Sequence, residues 1–232
     1  MARTRITYSI VLPLVAGIAL FALAIPRFLS GLPLSDPDPV LRTLADRDKV
    51  DEKRLNEAAR ARLRSLAIVK SGRVSYELGL MRLHLAQYAT DELHQQLLAE
   101  ASDDTRTGIL ANPAQPFAWM QLVQLSMLRS GDSGLRAAAN YYPLAVSTGP
   151  ETPELVLPRV ELALVLWGRL DENGRERARQ QVRLLAFADP GRLAMVARRR
   201  LALREVRALL SDTPELLGRF DSAYRHLRQE TR

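Results

Sequence analysis

Cysteine is absent from the 232 residues of this chain. Without cysteine the protein can form no disulfide, no thiolate metal site and no thiol nucleophile. Histidine is scarce as well, because only His84, His94 and His226 are present and they are widely separated. Such a set is too small and too dispersed for a typical metal site, and we therefore expect no metal and no cofactor.

Sequence patterns typical of common enzyme folds are also missing. The chain holds no HExxH, GxGxxG, GxxxxGK[ST] or GxSxG. It also lacks alternating apolar and polar segments of useful length, which argues against Rossmann and hydrolase architectures. These absences favour an all-α protein that acts by binding and has no catalytic activity.

The charge is strongly biased towards arginine. The formal net charge is +7, and 30 of the 33 basic residues are Arg. Two explanations stay open: a bias in genome composition, or an anionic partner such as nucleic acid, lipid headgroups or an acidic glycan. The location predicted in the next paragraph removes nucleic acid from these partners.

One uncharged run, from Ile6 to Pro26, stands out near the N-terminus. A transmembrane helix needs about 20 predominantly apolar residues, and this run just meets that length. Arg3 and Arg5 precede the run without an acidic residue, so the positive-inside bias places the N-terminus in the cytoplasm. We predict a cytoplasmic tip and transmembrane anchor at 1–28, in a bacterial inner membrane, with the bulk of the chain in the periplasm.

Two other interpretations of this run remain. Ala22-Leu23-Ala24 has the small-x-small form of a signal-peptide cleavage site, and the run could also be a buried core helix. The anchor is favoured because the run is long for a signal peptide and Pro26 follows the cleavage position. A linker at 29–39 comes next, and its prolines at 33, 37 and 39 favour an extended path.

The remaining residues, 40–232, show the apolar periodicity of consecutive helices joined by short turns. Such a pattern predicts antiparallel helical hairpins in one domain. Within the helix predicted at 152–170, Pro158 predicts a kink or a late start at Leu157. The other expected helices cover 46–70, 74–88, 92–110, a helix opening at Pro116, a returning helix ending before Gly149, 172–188, 192–210 and 214 to about 228.

The hairpin between Pro113 and Pro150 carries a more specific pattern. Trp119-x2-Leu122 lies in its first helix, and Ala138-x3-Tyr142-x2-Ala145-x4-Pro150 lies in its second. This pattern resembles a tetratricopeptide (TPR) repeat unit. The resemblance implies an α-solenoid with a concave binding surface. A generic hairpin, in which small alanines let two helices approach closely, is the alternative.

A wider resemblance spans most of residues 40 to 210. Its matching residues are Asn112-Pro113, Pro116, Ala118-Trp119, Trp167, Leu170 and Gln181-Val182-Arg183. In this arrangement the chain is similar to the VpsP-type polysaccharide-biosynthesis proteins, in which an N-terminal anchor precedes a TPR-like unit. The resemblance implies an accessory role in the assembly or export of a polysaccharide.

Basic and aromatic residues supply the candidate partner surface. Arg198, Arg199, Arg200 and Arg204 form either a solvated helix face or a surface for an anionic partner, which could be a protein, a glycan or lipid headgroups. Tyr141 could line a binding groove or fill the hairpin core, whereas Tyr142 is expected in the core.

Three carboxylates are weighed for chemistry. Asp103 and Asp104 form an acidic pair that we expect to be solvated. Glu161 lies among apolar residues, and because unpaired burial of a charge is unfavourable we expect it to have a buried partner such as Arg183 or Arg159.

The sequence thus predicts a non-enzymatic, membrane-anchored scaffold or adaptor in the assembly or export of a cell-envelope polysaccharide, with a protein partner from that machine. Two alternatives stay open. One is an assembly factor for another envelope complex, as in cytochrome maturation. The other is a glycan-processing enzyme that uses the three carboxylates.

Overall fold

The computed structural model of the chain describes residues 15, 20–34, 39–45, 48–129 and 131–229. Every regular element in these ranges is helical and none is a strand, which confirms the predicted all-α class. The chain divides after Ala111 into two compact units. The boundary falls inside the range 40–232, which the sequence treats as one domain.

The first unit contains five helices within its described residues. Helix α1 covers 20–31 and is followed by a 3-10 turn, Leu32–Leu34. The next helices are α2 (Pro39–Ala45), α3 (Glu52–Ile68), α4 (Gly72–Leu85) and α5 (Asp91–Ala111). Helix α4 packs between α3 and α5, and the 3-10 turn packs against α3. Val50, between α2 and α3, joins residues of α2, α3 and α4 in one core, whose other members are Val40, Leu55, Ala58, Ala59, Leu78, Met81 and Leu85.

Most of the predicted anchor lies outside the described residues, which omit 1–14 and 16–19. Across the ranges that the structure does describe, no helix combines the length and the apolar character needed to cross a bilayer. The described end of the run belongs to α1, where Leu20, Phe21 and Leu23 are exposed. The anchor therefore stays a prediction from the sequence.

The extended path predicted for the linker is wrong for its described residues. Residues 29–31 end α1, Leu32–Leu34 form the 3-10 turn, and Pro39 begins α2, while 35–38 lie outside the described residues. Proline fixes φ near −65°, a value that suits the 3-10 helix and the first turn of an α-helix as well as an extended chain. Proline content alone therefore does not separate these conformations.

Side-chain caps decide where α3 and α4 begin. The Asp51 carboxylate accepts a hydrogen bond from the Arg54 amide at 2.9 Å, so α3 starts at Glu52, not at 46 as predicted. The Ser71 hydroxyl accepts from the Val74 amide and caps the start of α4. Helix α4 therefore begins at Gly72, two residues before the predicted start at 74.

The second unit also consists of helices in its described part. These are α6 (Pro116–Leu128), α7 (Asp132–Ser147), α8 (Pro153–Leu166), α9 (Glu172–Ala188), α10 (Pro190–Arg199), α11 (Leu203–Leu209) and α12 (Pro214–Gln229). A 3-10 turn, Trp167–Arg169, follows α8. One core, around Val123, Ala138 and Leu166, joins α6, α7 and α8. A second core, around Val160, Val182 and Phe220, joins α8, α9, α10, α11 and α12.

Helix α8 runs through Pro158, so the late start predicted at Leu157 is wrong. The helix begins at Pro153, where a missing amide proton leaves no hydrogen bond unmade. Pro143 likewise lies inside α7. In both helices the surrounding apolar packing outweighs the hydrogen bond that an internal proline removes.

The single helix predicted at 192–210 is wrong, because it is two helices. The Ala202 amide donates to the Ala197 carbonyl at 2.8 Å, and the Leu201 amide donates to the Arg198 carbonyl at 3.2 Å. This is the hydrogen-bond pattern of a Schellman motif, in which the residue after the helix adopts a left-handed conformation. Leu201 takes that position with φ of 55°. Glycine usually occupies it, and the absence of glycine or proline from this segment leaves no sequence pattern for the break.

Candidate partner surface

The TPR-like residues lie in the hairpin of α6 and α7. Ala138, Tyr142 and Ala145 have no exposed surface, and Leu122 is also buried. The two helices pack closely along these small side chains. Pro150 follows α7 and is exposed. The structure therefore places Ala138, Tyr142 and Ala145 in one core, buries Leu122 and leaves Pro150 exposed.

Trp119, the remaining residue of the pattern, and Tyr141 form a half-buried aromatic pair. Their ring centroids are 6.1 Å apart, with the ring planes inclined by 38°. The Trp119 indole donates to the Pro113 carbonyl at 2.7 Å, which fixes the ring orientation. Leu144, one turn after Tyr141, is exposed. We name the surface of Trp119, Tyr141 and Leu144 the aromatic patch.

A buried polar cluster lies at the C-terminal end of α7, and the sequence analysis missed it. Arg159 is fully buried on α8 and donates to the carbonyls of Gly149, at 2.8 Å, and Ala145. Burial lowers the pKa of Arg159, an effect that Tyr142 opposes, and burial raises the pKa of Tyr142. Gln181 on α9 donates to the Pro150 carbonyl at 2.8 Å. Arg159 thereby pairs the Ala145 carbonyl, which lies in the last turn of α7, where carbonyls lack helical partners.

Arg198, Arg199 and Arg200 all lie on the surface of the second unit. Three successive residues of a continuous helix would point in widely different directions, but here α10 ends at Arg199 and Arg200 is its C-cap. The cationic side chains also suit the negative end of the helix dipole. The end of α10 at this point therefore explains why none of the three is buried.

Two of these arginines have contacts within the fold. Arg199 forms an ion pair with Glu161 on α8. Glu161 therefore has an arginine partner, but this is the 59% exposed Arg199 and neither Arg183 nor Arg159. Arg183 instead pairs with Asp212, and Arg159 lies in the buried cluster. Arg198 donates to the Leu227 carbonyl on α12 at 3.3 Å.

The other two arginines of the predicted surface, Arg200 and Arg204, are exposed, as are two apolar residues close to them in the sequence. Neither Arg200 nor Arg204 forms an ion pair with any described carboxylate. Leu201, between them, is 90% exposed, and Met195 on α10 is 50% exposed. We name Met195, Arg200, Leu201 and Arg204 the basic tip. Met195 and Leu201 were not predicted to be exposed, since an apolar residue beside arginine in a helical pattern is usually buried.

The carboxylates weighed for chemistry are all bound to arginine. Asp103 is exposed and pairs with Arg106, whereas Asp104 pairs with Arg82, which also binds Glu100 at 3.1 Å. Burial raises the pKa of Asp104, and the attraction of Arg82 opposes that rise. Asp103 and Asp104 thus point to different partners. Among the residues that the structure describes, no group of three or more His, Asp or Glu side chains could hold a metal ion.

Two open cavities lie in the first unit. One, of about 450 Å³, lies beside α2 and α3 and reaches Val40, Ala58 and Arg62. The other, of about 460 Å³, is lined by Leu44, Val50, Leu55, His84 and Tyr88, among others. Burial lowers the pKa of His84, so its neutral form is favoured. Arg62 is paired with Glu77, so its charge is balanced before any ligand arrives.

Comparisons with protein-family profiles, with curated proteins and with solved structures find no match for this chain.

Proposed function

We propose that this protein is a non-enzymatic scaffold of the bacterial cell envelope, tethered by one N-terminal span. Its N-terminus lies in the cytoplasm and the two helical units lie in the periplasm. The second unit binds a protein of a machine that assembles or exports an envelope polysaccharide.

The α6–α7 hairpin is the observation that carries the proposal. The fully buried Ala138 and Ala145 let α6 and α7 pack closely against each other, as a TPR-like unit requires. The same hairpin holds Trp119 and Tyr141 half-exposed against each other. Aromatic side chains that are rigid and partly exposed are typical anchors of protein interfaces. The aromatic patch is therefore the proposed contact for the protein partner.

Support for the tether comes from the sequence. The uncharged run from Ile6 to Pro26 has the length of a membrane span, and Arg3 and Arg5 set its direction. Support for a polysaccharide role comes from the resemblance to VpsP-type proteins in residues 40 to 210. An action by binding agrees with the carboxylates, because Asp103, Asp104 and Glu161 each hold an arginine.

Photocrosslinking in membranes of the native bacterium tests the protein contact. We replace Tyr141 with a benzophenone amino acid in the full chain, and Phe187, which is 67% exposed in the same unit, serves as the control. Position 141 is expected to trap a component of the polysaccharide machine and position 187 is not. Trapping a cytochrome-maturation component would favour the alternative assembly role. Equal adducts at both positions would contradict the aromatic patch.

Membrane fractionation tests the tether separately. The full chain is expected to resist a carbonate wash, and a reporter fused after residue 40 is expected to be active only in its periplasmic form. Release of the intact chain by carbonate, or reporter activity in the cytoplasm, would contradict the predicted anchor or its direction.

A further inference from the structure

We propose that the basic tip of the second unit docks onto the surface of a lipid bilayer that contains anionic phospholipid. This contact goes beyond the proposed function, because it is made by a folded helix end and does not depend on the N-terminal tether. The docking residues are Met195, Arg200, Leu201 and Arg204.

Among the large apolar residues that the structure describes, Leu201 is the most exposed. It is held in a left-handed backbone conformation, with φ of 55°, which disfavours any residue with a β-carbon. The hydrogen bonds from Leu201 and Ala202 to the last turn of α10 fix this conformation. The side chain gains no burial in return, because 90% of it is exposed. The fold thus holds a large apolar side chain in water at a fixed position.

The charges around Leu201 indicate the partner. Arg200 and Arg204 flank it and pair with no described carboxylate, although Glu205 lies next in the chain. A guanidinium group binds phosphate oxygens through several N–H donors at once. Apolar side chains surrounded by arginine are the usual composition of surfaces that lie at a membrane interface and bind anionic lipid.

The projecting shape favours lipid over other anionic partners. An acidic glycan would neutralise the arginines but would leave Leu201 and the half-exposed Met195 in water. A protein partner would need a pocket that matches a single projecting leucine. A fluid leaflet needs no matched pocket, because its acyl chains surround an inserted side chain while the phosphates bind the flanking arginines.

The absence of cysteine makes a clean experiment possible. In the full chain, Leu201→Cys introduces the only thiol, which is labelled with an environment-sensitive NBD fluorophore. Leu110→Cys is the matched control, since Leu110 is 86% exposed at the end of α5. Each labelled protein is reconstituted into phosphatidylcholine vesicles with or without phosphatidylglycerol, and both vesicle types also contain a lipid with a doxyl quencher.

We expect the probe at position 201 to shift to the blue and to be quenched only in vesicles that contain phosphatidylglycerol. The probe at position 110 is expected to respond in neither vesicle type. Adding Arg200→Gln or Arg204→Gln is expected to lower the equilibrium constant for contact with the anionic bilayer by about fivefold for each arginine removed. High salt is expected to reduce the quenching at position 201 as well, because it screens the arginine charges.

Equal signals from position 201 in the two vesicle types would overturn the proposal. A blue shift on adding a soluble acidic polysaccharide without vesicles would overturn it too, by assigning the tip to a glycan. Failure of the tether gives a different result, because the chain would then not float with neutral vesicles. In that case the response of position 201 to anionic vesicles still decides the proposal.

Discussion

Arg62 on α3 and Glu77 on α4 form an ion pair inside the first unit. The Nη2 and Oε2 atoms are 3.1 Å apart, and the two side chains are 1% and 6% exposed. Arg62 also donates to the Ala58 carbonyl at 3.1 Å, and Glu77 accepts from the exposed Arg73 at 2.8 Å. Both buried charges are therefore balanced and hydrogen-bonded, and the pair joins α3 to α4.

Removing one member of this pair is expected to destabilise the protein strongly. Glu77→Ala leaves the Arg62 charge buried without its partner and should lower the free energy of unfolding by about 3–5 kcal/mol. Arg73→Ala removes an exposed partner of the same carboxylate and should change it by less than about 1 kcal/mol. Urea denaturation of the full chain measures both values. Equal effects of the two variants would contradict the assigned role of the buried pair.

Replacing Leu201 with glycine is expected to stabilise the protein. Glycine adopts the left-handed conformation at the end of α10 without the strain of a β-carbon, so Leu201→Gly should raise the free energy of unfolding by about 1 kcal/mol. Leu201→Ala shortens the same exposed side chain but keeps the β-carbon. We expect little change from that control in the same urea titration, and an alanine variant as stable as the glycine variant would rule out backbone strain.

Gly108 on α5 is expected not to tolerate a β-carbon. Such an atom would lie 2.8 Å from the Gly72 carbonyl oxygen and 2.9 Å from the Tyr76 β-carbon. Gly108→Ala should therefore separate α4 from α5 and lower stability by about 1–3 kcal/mol. Gly218 on α12 has nothing within 4 Å of the equivalent position, so Gly218→Ala should stabilise its helix by up to about 1 kcal/mol. Thermal unfolding followed by circular dichroism measures the two shifts in melting temperature, which are expected to have opposite signs.

His84 is expected to make the first unit less stable in acid. Burial lowers its pKa below the ordinary value of 6.5, so the unfolded chain binds the proton more readily. The stability that the neutral imidazole contributes is complete above pH 6.5 and is lost as the pH falls through the lower pKa of the folded state. The urea midpoint should therefore drop between pH 7.5 and pH 5.5, and His84→Gln should reduce that drop.

The comparison of the two proteins isolates His84 from other groups. Burial raises the pKa of Asp104, so protonation of that carboxyl on acidification stabilises the folded state and opposes the effect of His84. Asp104 is present in wild type and variant alike, so its contribution cancels in the difference between their midpoints. A difference that does not change with pH would show that His84 titrates as an exposed histidine.

The bounds of α9 were predictable from a local pattern. Asp171 begins this helix by accepting a hydrogen bond from Gly174, and the predicted range, 172–188, is confirmed. Asp189 begins α10 in the same way, but the helix starts at Pro190, two residues before the predicted start. The break after Arg199 was not predictable, because it depends on a leucine in a conformation that the sequence pattern assigns to glycine. Packing of α10 on α12 and α9 outweighs that local preference.

For contacts between residues far apart in the sequence, the type of partner was predictable but its position was not. Burial of Glu161 among apolar residues predicted an arginine partner, but several arginines were available. Which of them is reached depends on how α8 and α10 cross, and that crossing places Arg199 there. The fully buried Arg159 was missed for a similar reason, because its partners are backbone carbonyls, which leave no trace in the side-chain pattern.

Asp189 ends α9 and, in the same position, begins α10. No spacer separates the two helices, because the Asp189 amide donates to the Leu185 carbonyl of α9 and its carboxylate accepts from the Arg192 amide of α10. Helix α10 is ten residues long and therefore extends about 15 Å from this corner. Asp189 therefore helps to set the angle between α9 and α10. Through that angle it also determines where Leu201 lies after the end of α10.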